Sequence, residues 1–348
     1  VMHAARRAGV LAAATLVLGS LVACGASEEV TETAAATTDG GTTYPLTVEN
    51  CGETVTFDSA PTRVVSLDQD STEILLSLGL ADRIVGTASW TDPVLDELAD
   101  ANASVPRLAD NAPTYEVVVD TEPDLVTASF GRHFKQGGVA ERARFAETST
   151  ASYLSPTDCD QGRSVNGGNK RTSPLTVDSL YQEITELAAI FDVNERGAEF
   201  VAELKERMAA ATASTTTDGV SVAFWFADTT SPYIGGGFGA AHVLASAAGT
   251  TNVFADMPDD YPAVGWESVV DRDPTVLVLG DLTRARFPGD LAADKIAFLE
   301  SDPVTSTMRA VRDKRYIFLH GAELNPSIRT VDGVEKIVAG LREMGLSS

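Results

Sequence analysis

Arg132 and His133 lie just beyond the apolar run that starts at Pro123, and Arg284 and Arg286 lie just beyond the matching run that starts at Pro274. The chain as a whole is acidic, with 50 Asp and Glu against 26 Lys and Arg and a formal charge of −24. Guanidinium groups collected at two equivalent places in such a chain suit an anionic ligand, with solvated loop arginines as the plain alternative. Aromatic residues fall at similar points: Trp90, Trp225, Phe226, Tyr233 and Tyr261 sit at or near the ends of expected strands. Rings so placed wall a large flat or partly apolar ligand. Each suits a core equally, and Trp225 and Phe226 must face opposite ways because strand side chains alternate. His133, with Tyr233 across from it, would make an axial pair for haem iron.

Other chemistry is poorly served. No Gly-x-Ser-x-Gly elbow, Walker sequence or Cys-x-x-Cys occurs, which removes the common nucleophile and phosphate signatures. Gly235 to Ala240 offers Gly-x-Gly-x-x-Ala, but Ser231-Pro232 separates it from the preceding strand. The dinucleotide fingerprint needs its glycines at the strand-helix turn, so a flexible glycine loop entering a helix is the reading. His133, His242 and His320 share no metal-ligand spacing, and His242 and His320 read as structural. No direct metal site is expected. No basic stripe offsets the net charge, which argues against nucleic acid.

The elements that must hold these residues repeat. YEVVVDTEPDLV from Tyr115 and WESVVDRDPTVLVL from Trp266 share an aromatic, a Glu, a short amphipathic turn, Asp-x-x-Pro and an apolar strand. Glu116 and Glu267, Asp120 and Asp271, and Pro123 and Pro274 keep the same offsets, which predicts two similarly built lobes with a cleft between them. A length of 348 residues agrees with two domains. LTVENCGETVTF reads as a hairpin; RVVSL, RIVG, PDLVTAS and ASYL read as strands alternating with helices, the first helix opened by Asp70 and Glu73 at capping-box spacing. Residues 176–214 keep helical periodicity throughout and predict one long helix. VSVAFWF, TNVF, TVLVLGD and RYIFL then read as strands of a second lobe. The fold class is α/β: an N-terminal lobe over 44–175 and a C-terminal lobe over 215–348, both mostly parallel, joined by the long helix. In such sheets ligands gather beyond the carboxyl ends of the strands.

The first residues read as a targeting segment, with His3, Arg6 and Arg7 ahead of an apolar run from Val10 to Leu18. Leu21-Val22-Ala23-Cys24 resembles the bacterial lipobox, which implies a signal peptide over 1–24, a lipidated Cys24 and a mature protein held on the outer face of the cell membrane. Residues 25–43 read as a flexible tether. With Cys24 so used, Cys51 and Cys159 are an even pair in an oxidising compartment, and a disulfide between them is expected rather than two free thiols.

Taken together, RVVSLDQDSTEILLSLGLADRIVGTASW, the two Glu-Pro segments, the long helix and the lipobox resemble the ABC-importer substrate-binding lipoproteins that serve iron siderophores, haem and cobalamin. The resemblance runs from Arg63 to the C-terminus. It implies two α/β lobes bridged by a rigid helix, no catalysis, no cofactor, and a partnership with a permease dimer and its ATPase. By motif position Glu116 and Glu267 would dock on the permease, and Trp90 and Tyr261 would touch ligand; the insertion 156–174 departs from the family pattern. A ferric siderophore is the expected cargo, with Arg132, Arg284 and Arg286 on its charge. Haem, held by the same arginines and by His133 or Tyr233, or cobalamin, held by aromatics with little charge, are the alternatives. A monomer is expected. A secreted enzyme with a nucleotide or hydrolytic site is the reading from another class.

Overall fold

The computed structural model describes residues 40–213, 217 and 219–347. The signal segment, Cys24 and most of the tether lie outside these residues. Within them, no helix is long and apolar enough to cross a membrane.

The first lobe opens with a hairpin, β1 (Leu46–Asn50) and β2 (Glu53–Phe57), turned by Cys51 and Gly52 at positive φ. Its sheet is built from β3 (Val64–Ser66), β4 (Ile84–Ala88), β5 (Arg107–Ala109), β6 (Leu125–Ala128) and β7 (Ala151–Leu154). All pairings are parallel, in the order β5-β4-β3-β6-β7. The connecting helices are α1 (Gln69–Ser77), α2 (Ala99–Asn102), α3 (Tyr115–Val119) and α4 (Arg142–Ala146). Successive strand residues enter opposite cores, as the pleat requires: Val64, Leu125 and Tyr153 pack on one face and Val65, Val126 and Leu154 on the other. After β7 comes the insertion, with a short antiparallel pair β8 (Cys159–Asp160) and β9 (Arg163–Ser164), and a disulfide joins Cys159 to Cys51 across a Cα separation of 5.6 Å.

The stretch expected to form one long helix is two. Helix α5 (Asp178–Ile190) ends, Asp192 takes φ 58°, and α6 (Asn194–Thr212) begins. The break is held from outside the segment: Thr42 donates through its hydroxyl to Ala189 O (2.8 Å) and through its backbone N–H to Asp192 Oδ1, and Asn194 Nδ2 donates back to Thr42 Oγ1 (3.0 Å). Thr42, within the stretch expected to be a tether, is therefore fixed to this corner. The bridging role falls to α6, whose 19 residues span about 28 Å. Phe200 and Leu204 pack into the first lobe, while Met208 and Ala211 reach the second.

The second lobe contains β10 (Ser221–Ala227), β11 (Tyr233–Ile234), α7 (Ala240–Ala247), β12 (Thr251–Asn252), α8 (Trp266–Arg272), β13 (Val276–Asp281), α9 (Ala292–Ser301), α10 (Arg309–Arg312), β14 (Tyr316–His320) and α11 (Thr330–Glu343). β10, β12, β13 and β14 pair in parallel and only β11 is antiparallel. The Glu-Pro repeat is real structure: α3 feeds β6 and α8 feeds β13, each strand paired on both sides in its sheet. At matching positions before Pro123 and Pro274, Glu122 and Asp273 are both left-handed, with φ 50° and 36°.

The capping box expected at Asp70 and Glu73 does not form. Asp68 occupies the N-cap of α1 without a side-chain cap bond, and Glu73 is turned across the lobes to Arg329.

Candidate functional site

A cleft of about 1140 Å³ opens between the two sheets, lined by residues that follow β3, β4, β5 and β6 in one lobe and β10 and β13 in the other. Its floor is organised by Asp68, which lies two residues past β3 and is 1% exposed. Asp68 Oδ2 accepts the backbone N–H groups of Ser129 (3.0 Å) and Phe130 (3.1 Å), and Oδ1 accepts Arg132 Nη2 (2.6 Å) and His133 Nε2 (3.0 Å). One buried carboxylate thus gathers both predicted basic residues of the first lobe. His133 is itself buried, its Nε2 committed to Asp68, which leaves Nδ1 as the ring nitrogen that the expected axial pairing with Tyr233 would have to use.

The opposite wall is organised the same way. Asp290, 1% exposed, accepts Arg284 through Nε (3.1 Å) and Nη2 (3.2 Å) and the backbone N–H groups of Arg286 (2.9 Å) and Phe287 (3.1 Å). Arg286 reaches over to the first lobe, where it meets Asn111 Oδ1 and Asp110 O. Lys295 lies beneath, fully buried, its Nζ donating to Gly289 O (2.5 Å) and Asp290 O (3.1 Å); burial pushes its ammonium down to about 8. The three arginines expected to meet an anionic ligand all line the cleft, and each is also bonded within the protein. Displacing Arg132 or Arg284 would leave the buried carboxylate of Asp68 or Asp290 short of a cation, whereas the acceptors of Arg286 are exposed.

The aromatic expectations divide. Trp225 is fully buried against Trp266 (ring centroids 4.7 Å apart) in the second lobe's core and does not line the cleft, which corrects its assignment. Its neighbour Phe226 does line it, its ring tilted against Tyr261 with centroids 5.0 Å apart, and Tyr261 is tied by its hydroxyl to Leu324 O (2.5 Å). Tyr233 lines the cleft and is 44% exposed. Trp90 also lines it, with Arg107 over its ring at 4.7 Å. Phe130 and Phe287 complete the walls; their signal in the sequence was their place beside the basic residues at the strand ends. The glycine loop lies under residues 255–260, where a Cβ on Gly236 would meet Asp259 O at 1.9 Å. It is a packing device with no room for a pyrophosphate.

A model of the family described as "Periplasmic binding protein" matches residues 64–323. The chain belongs to the periplasmic binding protein family. It is 26% identical over 253 residues to a "Cobalamin-binding protein" of Halobacterium salinarum, covering 70% of this chain and 60% of that one. A "Vitamin B12-binding protein" of Photorhabdus laumondii is 25% identical over 224 residues, covering 64% of this chain and 71% of that one. Among solved structures, an "ABC-type Fe3+-hydroxamate transport system" protein from Saccharomonospora viridis superposes with a TM-score of 0.71 at 26% identity, covering 86% of this chain and 99% of that one.

In this periplasmic binding protein three buried polar atoms of cleft-lining residues lack any hydrogen-bond partner: Asp70 Oδ1, Trp90 Nε1 and His133 Nδ1. Asp70 is 3% exposed, and burial, reinforced by Asp68, Glu73 and Glu183, holds its pKa well above the usual carboxylate range. Glu183 accepts Ser155 Oγ (2.5 Å), and burial pushes it up to about 8, with Glu186 and Asp68 adding to the rise against Ser155's hydrogen bond. A raised acid pKa means the folded state binds the proton that the unfolded state releases above about 4.5, so stability falls as pH rises between the two values and is level above about 8. From pH 6 to pH 7 the wild type should lose roughly 1 kcal/mol more than Glu183→Gln in urea titrations. Parallel curves would remove Glu183 from this role.

Among the described residues, no group of three or more His, Cys, Asp or Glu side chains is arranged to hold a metal ion. Glu116 and Glu267 are both exposed, in the first turns of α3 and α8. Arg144 lies 3.6 Å from Glu116, and Thr114 caps its helix.

Proposed function

We propose that the protein is the extracytoplasmic solute-binding component of an ABC importer and carries a corrinoid of the cobalamin class to a permease dimer and its ATPase. The observation that carries this reading is the combination of aromatic walls and three buried unpartnered polar groups with cations that are already paired. Such a cleft suits a large ligand whose rim bears neutral amides rather than carboxylates. Its volume of about 1140 Å³ lies beyond the usual ~300–1,000 Å³ for small-molecule sites, which favours the bulkiest of the three candidate cargoes. The two cobalamin-binding relatives support the same class. The ferric siderophore stays as a second reading in its uncharged hydroxamate form, favoured by the likeness to the Fe3+-hydroxamate protein.

A helix that leads into a parallel strand runs against it, so the first turns of α3 and α8 lie toward the strand ends where the cleft opens. That placement supports Glu116 and Glu267 as the permease-docking pair. The lipobox supports tethering through Cys24. The family match and the substrate-binding relatives support action by binding rather than catalysis.

Titration of tryptophan fluorescence and heat with cyanocobalamin, a neutral ferric trishydroxamate and hemin tests this. Cyanocobalamin should bind at micromolar or tighter affinity with little dependence on salt, and hemin should give no shifted Soret band. Steeply salt-dependent binding of an anionic chelate, with none of cyanocobalamin, would overturn it.

A further inference from the structure

We infer that the insertion 156–174 is a latch that fixes the ligand-facing wall of the opposite lobe, with Arg171 as its positioning residue; this rests on the cleft being the ligand site. The insertion is held firmly on its own lobe. The Cys51–Cys159 disulfide ties it to the hairpin, and buried Asp158 accepts Gly131 N (3.0 Å), Ser164 Oγ (2.5 Å) and Asn166 N (3.1 Å). Gly131 lies so close beneath it that a Cβ there would meet Ser164 Oγ at 1.8 Å. The cleft floor after β6 and the insertion are therefore one packed unit.

From that unit Arg171, whose side chain is 3% exposed, crosses to the second lobe. It donates to Asp260 Oδ1 (2.6 Å) and Oδ2 (3.3 Å) in fork geometry, and to Thr157 O (2.7 Å). Asp260 lines the cleft and is followed by Tyr261, whose ring packs at a tilt on Phe226. Its backbone oxygen accepts Gly236 N (2.9 Å), and its side chain packs on Gly239 at the start of α7. Displacing Asp260 thus displaces Tyr261 and the glycine loop together. Arg171 is the anchor for this wall because a bidentate guanidinium fixes direction as well as charge, which a lysine cannot do. The neighbouring pair Lys170–Asp259 (3.2 Å) is exposed and contributes little. A wall set before the ligand arrives slows its departure more than it speeds its arrival.

The test compares Arg171→Met, Arg171→Lys and Lys170→Met in the otherwise intact protein by two readouts. The first is amide hydrogen exchange across residues 255–262 without ligand; the second is the dissociation rate of cyanocobalamin. Arg171→Met should speed exchange in 255–262 selectively and raise the dissociation rate roughly tenfold with the association rate nearly unchanged. Arg171→Lys, which keeps the charge and folds under milder strain, should fall between, and Lys170→Met should match wild type. Unchanged exchange in 255–262, exchange raised equally in both lobes, or faster exchange with an unaltered dissociation rate would each overturn the proposal. If wild type binds no cyanocobalamin, the corrinoid reading fails, and the exchange measurement alone still decides whether the latch exists.

Discussion

Cells carrying Glu116→Ala together with Glu267→Ala should lose ligand uptake by roughly tenfold or more, while the purified double variant binds ligand as wild type does. The reasoning is spatial. The two carboxylates stand at equivalent places on two lobes built to the same plan, exposed and outside the cleft lining. A permease dimer offers two like surfaces, and two separated charges register such a partner in one orientation, contributing association rate more than affinity. Hydrogen bonds from its own backbone N–H and from Thr114 hold Glu116 below its ordinary pKa. Its contact with Arg144 at 3.6 Å is solvent-exposed and readily exchanged for a partner's cation. Either single substitution should give an intermediate defect that grows with salt. Binding and uptake falling in parallel would refute the docking assignment.

The second large effect concerns stability. Glu73 and Arg329 form an ion pair between the lobes with side chains 0% and 6% exposed. Arg329 Nε donates to Glu73 Oε2 at 2.8 Å, Nη2 also meets Oε1, and Nη2 donates to Pro93 O at 2.7 Å. Gln69 Nε2 and Leu95 N, each at 3.2 Å, complete the shell around Glu73 Oε1. Glu73→Ala strands a buried guanidinium and should cost ~3–5 kcal/mol in urea unfolding. Replacing both partners by methionine should recover most of that loss, because neither charge then needs solvating. A single-substitution cost under ~1 kcal/mol would mean that water reaches the pair.

The same residue marks where sequence reading stopped. Glu73 stands three positions after Asp70, a local cue for a helix cap, yet its partner is 256 residues away, and no local pattern reports that. The break in the expected long helix has a like cause. Phe191-Asp192-Val193 contains neither Gly nor Pro, and the interruption depends on Thr42, far off in the chain. What alternates or repeats was legible: the strand faces, the parallel sheets, and the two Glu-Pro units with their helix-strand geometry. In the cleft, the rings and basic residues were placed at the right edges of the sheets. Their partners were not foreseen, although Asp290 stands only six residues from Arg284. A count of cations suggested an anionic ligand; geometry shows those cations assigned to Asp68, Asp290 and the Asp110-Asn111 turn.

The clasp of Thr42 on the α5–α6 corner has a mechanical consequence. Tension applied through the chain ahead of residue 40 arrives first at Thr42 and at Tyr44, whose hydroxyl holds Ile190 O at 2.7 Å. Both attach to the end of α5, the helix packed beneath the first sheet. A pull from that side is therefore taken up in the core of the first lobe, where α5 packs with Val64, Leu125 and Tyr153, and it reaches the second lobe only by way of α6.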